Sequence, residues 1–419
     1  MKEVTLSKII GKTGVFIDGD WVESKDQEPN GDVRLIQLAD IGDGVFINKS
    51  NRFLTSEKAK DLKCTFLKQG DLLIARMPDP LGRSCIFPGI NMPCVTVVDI
   101  CIVRPDANIA DSEWLKFLIN SYDFRNKINK YITGTTRQRI SRGNLEKLSF
   151  GLPPLHDQLH IANLLSKAEN LISQRKQSIA LLDEFLKSTF LEMFGDFKEM
   201  STSKLDFLGD NISYLTSGSR GWAQYYSESG AKFLRIQNIG GGIIRMDNLI
   251  HVNPPDSAEA DRTRVKEGDL LISITADLGR TSVIPKDFGE AYINQHLALI
   301  RLNKNINPIY AAYFYNMPFG NNAIQKKNRA AVKAGLNFND IKSFPISIPS
   351  MARQTQFAQI VEKNETIKTY YQSSLQELEN LYGSLSQRAF RGELTLNKAE
   401  EQVLMAAEPE AGYQSHCKK

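Results

Sequence analysis

Two short strings in this chain hold residues that could do chemistry by themselves. "NPPD" (Asn253–Asp256) is one residue from the Asn-Pro-Pro-aromatic arrangement that grips an adenine amino group. An aspartate stands where the stacking ring belongs, and no glycine-rich cofactor loop precedes it, so it reads as a Pro-Pro turn in a polar loop. "HDQLH" (His156–His160) spaces two histidines at i and i+4, as a helical metal site requires, but it lacks the glutamate of the zinc-protease motif and sits at a helix start, where imidazoles are solvated. The five cysteines, Cys64, Cys85, Cys94, Cys101 and Cys417, show no short paired spacing, which predicts reduced thiols rather than a metal or redox site. No Gly-x-Ser-x-Gly elbow, Walker loop or dinucleotide fingerprint occurs. The chain is expected to hold no metal or cofactor and to catalyse nothing alone.

What it does offer is groups that meet phosphates and base edges. Arg125, Lys127, Lys130, Arg137, Arg139, Arg142 and Lys147 crowd the segment 122–147, where "GTTRQR" forms a Gly-led loop of hydroxyls and guanidinium groups. Lys326, Lys327, Arg329 and Lys333 fall in a comparable place later on. A net charge of +4 permits a nucleic-acid partner without requiring one, so the distribution of charge decides. Phosphates are met by Arg, Lys, Ser and Thr, whereas base edges need Arg, Asn or Gln. On that ground the candidate DNA contacts are Arg76, Arg83, Arg137, Gln138, Arg139 and Arg142 in the first half of the chain. In the second half they are Arg220, Trp222, Arg280, Asn294, Gln295, His296, Lys326, Lys327, Arg329 and Lys333.

The elements that position these residues occur twice. "KQGDLLIARMPDPLGR" (Lys68–Arg83) returns as "KEGDLLISITADLGR" (Lys266–Arg280), with Gly70 on Gly268 at an offset of 268 − 70 = 198. The same offset sets "DIGDG" (Asp40–Gly44) on "NIGGG" (Asn238–Gly242). It falls to 197 at Gly82 and Gly279, and to 196 where Pro153 meets Pro349 and Gln158 meets Gln354, the drift of two copies that have diverged by loop insertions. A period near 200 is too long for a solenoid, so each copy is a domain. Up to its proline each copy is β-branched, aromatic and punctuated by Gly, Pro, Asn and Asp, which predicts a strand-rich domain.

Beyond the proline the texture is helical. Ile161, Leu164, Ala168, Leu171, Arg175, Leu182, Phe185 and Thr189 mark one heptad stripe, and Phe357, Ile360, Asn364, Ile367, Tyr371, Leu378, Leu381 and Leu385 the other. Helices over about 157–195 and 352–392 would run roughly 58 Å or slightly more at 1.5 Å per residue. Neither can bury its stripe on the small domain beside it, so an antiparallel pairing of the two is the simplest closure. The shared scaffold also points to where the copies differ: Arg76 stands where the second copy has Ile274, and "NQH" (Asn294–His296) is set against "MPC" (Met92–Cys94). Such positions are where two different sequences would be read.

Three of these strings carry a family resemblance. "PPLHDQLHIANLL", "LLDEFLKSTFLEMFGD" (Leu181–Asp196) and "LYGSLSQRAFRGEL" (Leu381–Leu394) resemble the first spacer helix, the central conserved segment and the C-terminal conserved segment of the DNA specificity subunit of type I restriction-modification enzymes. "TSGSRGWAQYYSESGAKFLRIQNIG" is similar to the opening of that family's target recognition domains, a pattern that "FIDGDWVESKD" in the first copy departs from. The resemblance covers nearly the whole chain. It implies an α+β protein, with two similar strand-rich target recognition domains joined by a long antiparallel two-helix coiled coil in a pseudo-twofold internal repeat. The domains would span 1–152 and 197–349, the spacer helices 153–196 and 350–392, and a polar tail 393–419.

The resemblance further implies a non-catalytic subunit that binds double-stranded DNA and docks two adenine methyltransferase (modification) subunits. Those would bring S-adenosylmethionine. Restriction endonuclease-translocase subunits, joined through them, would bring ATP and Mg. A type IIB recognition subunit and a protein-binding coiled-coil scaffold are the alternatives. With no apolar run near the roughly 20 residues that span a bilayer and no signal-peptide core in "MKEVTLSKIIGKTGVF", a cytoplasmic protein without membrane contact is expected. The missing catalytic motifs make one prediction: the purified chain, free of partners, transfers no methyl group from labelled S-adenosylmethionine to DNA, and incorporation above background would refute it.

Overall fold

A computed structural model describes residues 2–77, 80–134, 136–196, 205–327 and 335–394. Its contacts divide the chain into two units, one running to Arg175 and resuming at Ser374, the other running from Lys176 to Ser373. The division passes through both long helices, so the first unit is assembled from two separate stretches and the second from one continuous stretch between them. The boundaries expected from sequence treated the helices as separate spacers; here each strand-rich domain is grouped with half of each helix.

Both units are built on one topology. The first has a four-stranded antiparallel sheet of β1 (Val15–Asp18), β2 (Leu72–Ala75), β3 (Ser84–Ile86) and β4 (Ile100–Arg104) in the order β1-β4-β2-β3. The second repeats it with β5 (Ile212–Ser217), β6 (Leu270–Ser273), β7 (Thr281–Val283) and β8 (Leu297–Leu302) in the order β5-β8-β6-β7. A second sheet in each unit contains one parallel pair, Val33–Ile36 with Cys94–Thr96 and Ala231–Leu234 with Ala291–Ile293. Helix α1 (Ser112–Asn120) packs on the first sheet and α3 (Pro308–Asn316) on its counterpart.

The duplicated "GDLLI" is explained by a buried acid. Asp71, 1% exposed, caps its own turn by accepting the Lys68 N–H at 2.8 Å and holds Arg104 of β4 by two bonds of 2.6 and 2.7 Å. Asp269 does the same with the Lys266 N–H at 2.7 Å and Arg301 of β8 at 2.8 and 3.1 Å. A buried carboxylate costs several kcal/mol unless it is paired this way, so the turn and the arginine are kept together. Gly70 and Gly268 make the turn possible with φ of 89° and 79°, where a side chain would strain the backbone.

The long helices are α2 (Leu155–Phe194) and α4 (Met351–Phe390), 40 residues each. Each starts after a proline-containing segment and ends at a glycine of positive φ, Gly195 at 86° and Gly392 at 80°, which stops the helix without a Cβ penalty. Within each unit the two helix segments run antiparallel. In the first, the Tyr382 hydroxyl donates to Glu169 at 3.2 Å; in the second, Lys368 reaches Asp183 at 2.5 Å and Arg353 bonds the Met193 carbonyl. Both ends complete a domain core. Ala389 joins the buried cluster around Trp114, Leu118 and Phe150, with Leu385 and Phe390 packed against it. Phe190 is fully buried, stacked on Tyr310 at 5.7 Å and edge-on to Phe357 at 5.3 Å.

The helical stripe corrects the sequence reading at several positions. Leu171, Phe185, Ile367 and Leu381 are 50%, 51%, 43% and 50% exposed. The inward positions are one residue later: Ile172, Leu186, Lys368 and Tyr382 lie at the buried or half-buried places, as do Leu165 and Val361. Leucines flank the seam on both sides, so hydrophobicity alone fits two registers. Only packing against the neighbouring helix separates them.

Two matched glutamines tie each helix start to its domain. Gln158, 0% exposed, accepts the Asp111 N–H at 2.9 Å and donates to the Pro153 and Ile109 carbonyls at 2.9 and 3.1 Å. Gln354, also 0% exposed, accepts the Asn307 N–H at 2.8 Å and donates to the Pro349 and Asn305 carbonyls at 2.8 and 3.2 Å. Gln158→Met keeps the volume and strands these backbone groups without water. It is expected to cost about 1–3 kcal/mol, the range for an unsatisfied buried polar group. Urea unfolding of the variant checks it, and an unchanged midpoint would show that the latch is replaceable.

Candidate nucleic-acid interface

The two sheets bring corresponding loops to one edge of each domain. In the first unit these are residues 19–21 after β1, the β2–β3 loop and residues 97–99 before β4. In the second they are residues 218–221 after β5, the β6–β7 loop and residues 294–296 before β8. Backbone pairing fixes the equivalence: Asp20 bridges Val97 as Ser219 bridges Asn294. The Arg76 N–H bonds the Asp99 carbonyl at 2.9 Å, as the Ile274 N–H bonds that of His296 at 2.9 Å. Gly19 and Gly218 sit at the crossing. A Cβ there would lie 2.4 Å from the Val97 carbonyl oxygen in one unit and 2.0 Å from that of Asn294 in the other. Only glycine lets the strands pass so closely.

This register overturns one alignment. The counterpart of Asn294-Gln295-His296 is Val97-Val98-Asp99, not Met92-Pro93-Cys94. The parallel pairs put Thr96 beside Ile36 and Ile293 beside Leu234, so the residues that follow them correspond.

Among the first-half candidates, Arg76 and Arg83 are held by protein groups. Arg76 donates to the Val98 and Ile140 carbonyls at 2.7 and 3.2 Å and pairs with Asp18 at 3.1 Å, its side chain 12% exposed. Arg83 donates to the Ile41 and Leu38 carbonyls at 2.7 and 3.0 Å. Both guanidinium groups cross-link loops, which is a scaffold role. Arg137, Gln138 and Arg139 are exposed on a hairpin closed by mutual 2.9 Å bonds between Thr133 and Arg139, and Arg142 is exposed just beyond it. The Ile140 N–H bonds the Arg76 carbonyl at 3.1 Å, which roots this basic hairpin at the loop edge.

In the second half, Arg220 is exposed and Trp222 is not. Trp222 is 4% exposed, stacked on Phe233 at 5.2 Å and beside Tyr292 at 5.1 Å, so its ring belongs to the core and not to a groove. Asn294, Gln295 and His296 come together half-buried. The Thr275 hydroxyl lies 2.6 Å from His296 Nδ1, and Gln295 Nε2 lies 3.1 Å from His296 Nε2. Gly335 bridges Thr275, and the Leu336 N–H bonds the Ile274 carbonyl at 2.9 Å, which returns the chain to this edge. Lys326 is exposed and Lys327 half-buried before that return, while Arg329 and Lys333 lie outside the described residues. Arg280 pairs with Asp277 at 2.5 Å and lines a separate cavity of about 270 Å³ with Arg245 and Asn321.

Two residues escaped the sequence reading. Arg262 donates to the Thr216 hydroxyl, to the Ser217 carbonyl at 2.7 Å and to the Ser219 hydroxyl at 3.1 Å, clamping the loop that carries Arg220. Nothing in its local sequence announces this. Trp21 is 70% exposed at the loop edge of the first unit, and its position equals that of Arg220 once Gly19 is set on Gly218. The described residues contain no group of three or more His, Cys, Asp or Glu side chains able to hold a metal ion, and no helix long and apolar enough to cross a membrane. Cys64, Cys85, Cys94 and Cys101 are free and buried. Burial pushes the Cys85 thiol up to about 12, leaving it a poor nucleophile, while Cys417 lies outside the described residues.

Each copy of the duplicated strand-rich domain carries different side chains on the same loop edge and completes its core with segments of both long helices. The chain belongs to the type I restriction modification DNA specificity domain family, whose model matches residues 6–182 and 233–380. It is 25% identical over 338 residues to the EcoKI specificity subunit of Escherichia coli K12, covering 74% of this chain and 71% of that one. To the MjaX specificity subunit of Methanocaldococcus jannaschii, described as putative, it is 22% identical over 314 residues, covering 72% and 73%. The fold is also that of the type I S subunit from M. genitalium, with TM-score 0.56, 15% identity and coverage of 93% and 96%. A chain from a study of assembly and conformational transition in a type I system matches with TM-score 0.55, 18% identity and coverage of 94% and 98%.

Proposed function

We propose that this chain is the non-catalytic DNA-recognition subunit of a type I restriction-modification complex, each domain reading one half of a bipartite target. The observation that carries this is the matched loop edge: one framework, built twice, with Trp21, Val97, Val98 and Asp99 in one copy where the other has Arg220, Asn294, Gln295 and His296. Identical scaffolds with unlike tips suit two unlike half-sites. In this reading the basic hairpin supplies phosphate contacts that set register, and the tip residues supply specificity.

The helices serve a second purpose. Leu171, Leu181, Phe185, Ile367, Tyr370 and Leu381 stay between 43% and 70% exposed on α2 and α4. Singly exposed apolar residues are ordinary, but their recurrence along both helices suits a surface that a protein partner covers. They support docking of two adenine methyltransferase subunits, which bring S-adenosylmethionine. Restriction subunits using ATP and Mg join through these. α2 and α4 form one antiparallel coil in this reading, and the coil fixes the distance between the readers.

Replacing Arg137 and Arg139 by Ala should weaken binding of the assembled methyltransferase to every sequence alike. The dependence of log K on log salt should flatten by about one to two units, because each lost phosphate contact releases one counterion fewer. Titrations at several salt concentrations measure this, and an unchanged slope counts against the hairpin. Methylation-site mapping in a host carrying the chain and its modification partner tests the function itself, the expected result being two half-sites around unread bases. A continuous site would overturn the two-reader proposal. Inserting four residues after Arg175 and four after Leu375 lengthens both helices by about 6 Å at 1.5 Å per residue. At roughly 3.4 Å per base pair, the unread spacer should grow by nearly two base pairs, with both half-sites unchanged. Original spacing in an active mutant would show that the coil does not set the distance.

A further inference from the structure

Trp21 is the anomaly of the first unit. The chain has three tryptophans; Trp114 and Trp222 are 1% and 4% exposed, whereas Trp21 is 70% exposed. A lone exposed leucine needs no explanation, but an indole is the largest apolar side chain and is seldom left in water without a partner. Its orientation is set by its own Nε1–H, which donates to Glu23 at 3.2 Å.

The carboxylates around it are not equivalent. Trp21, Val98 and Asp99 share a cleft of about 640 Å³ with Asp20 and Glu23. Asp20 accepts the Thr65 N–H at 2.9 Å, and Glu23 is paired with Lys25 at 2.7 Å. The half-buried Asp99 carboxylate has no hydrogen-bond donor or ion-pair partner among the described residues, although its backbone carbonyl is fixed by the Arg76 N–H. Asp99 thus lines the cleft with open acceptor capacity. A carboxylate is repelled by phosphates, yet it suits a base edge that donates, as the amino groups of cytosine and adenine do in the major groove. An aromatic face suits the thymine methyl, or an unstacked base step into which it wedges.

We infer that Trp21 and Asp99 are the specificity-determining pair of the first domain, the indole packing on a base and the carboxylate accepting from an exocyclic amino group. This rests on the recognition reading above. The second domain fills the same two places with Arg220 and His296, so the two half-sites are read by opposite chemistry, acceptor-rich with an aromatic face in one and donor-rich in the other.

The test uses the full chain, labelled with fluorotryptophan and assembled with its methyltransferase partner. Fluorine NMR resolves the three indoles, and Trp21→Phe identifies the exposed one. A duplex carrying the mapped target should shift the Trp21 resonance and leave those of Trp114 and Trp222 in place, while a duplex altered in the first half-site should not. Trp21→Ala should lower target affinity at least tenfold and Trp21→Phe much less. Asp99→Asn should change the base accepted at one position of the first half-site and leave the second half-site as it was. Unmoved Trp114 and Trp222 resonances certify the fold of each variant. Specific DNA binding with a silent Trp21 resonance would overturn the inference and spare the recognition reading. So would a Trp21 shift produced by the partner protein alone, which would mark the indole as a protein contact. An assembled complex with no sequence preference would overturn both.

Discussion

Each domain of this protein is closed by helix ends that come from opposite parts of the chain, and the rest of the structure follows from that constraint. Phe190, near the end of α2, fills the second domain together with Phe357 from the start of α4. Ala389, near the end of α4, fills the first together with Ile161 and Leu165 from the start of α2. A fully buried aromatic or aliphatic side chain contributes about 1.5–3 kcal/mol, so several such residues at one seam are comparable with the whole stability of a domain. The glutamine latches tie the start of each helix to the domain that precedes it, so within each unit a helix start and a helix end are held against the same core.

A framework held in this way leaves its tips free to vary. The paired acids Asp71 and Asp269, the close-approach glycines Gly19 and Gly218 and the glutamines Gln158 and Gln354 are all buried or backbone-directed. None of them depends on which side chain occupies position 21 or 220. Substitutions at exposed positions usually change stability by less than about 0.5 kcal/mol. Recognition can therefore drift while the fold persists, which accounts for copies that agree in "GDLLI" and disagree one turn later.

Much of this was legible in the sequence, and the misses share a cause. The duplication, the strand-rich domains and the long helices were visible because they rest on many residues: a slowly drifting offset, proline starts, glycine stops and a sustained heptad rhythm. What failed was anything decided by one contact. Leu171 and Leu381 look like seam residues until the neighbouring helix selects Ile172 and Tyr382. Arg76 looks like a reader until Asp18 and two carbonyls are found to hold it. Trp222 and Trp21 lie in similar polar loops, and only the ring of Phe233 beneath the first makes it core. The misplacement of Met92-Pro93-Cys94 opposite Asn294-Gln295-His296 came from loops of unequal length, which a strand register resolves and a one-dimensional comparison does not.

The interlaced cores have a consequence for how the protein is made. A ribosome releases the first domain's strands early, but the segment that completes its core, ending at Phe390, is nearly the last of the described chain to emerge. At about 5–20 residues per second, the roughly 200 residues translated in between take on the order of 10–40 s. During that time the surface meant for Ala389 and Phe390 is open. A message truncated before that helix end yields a first domain whose strands are all present and whose core is never sealed.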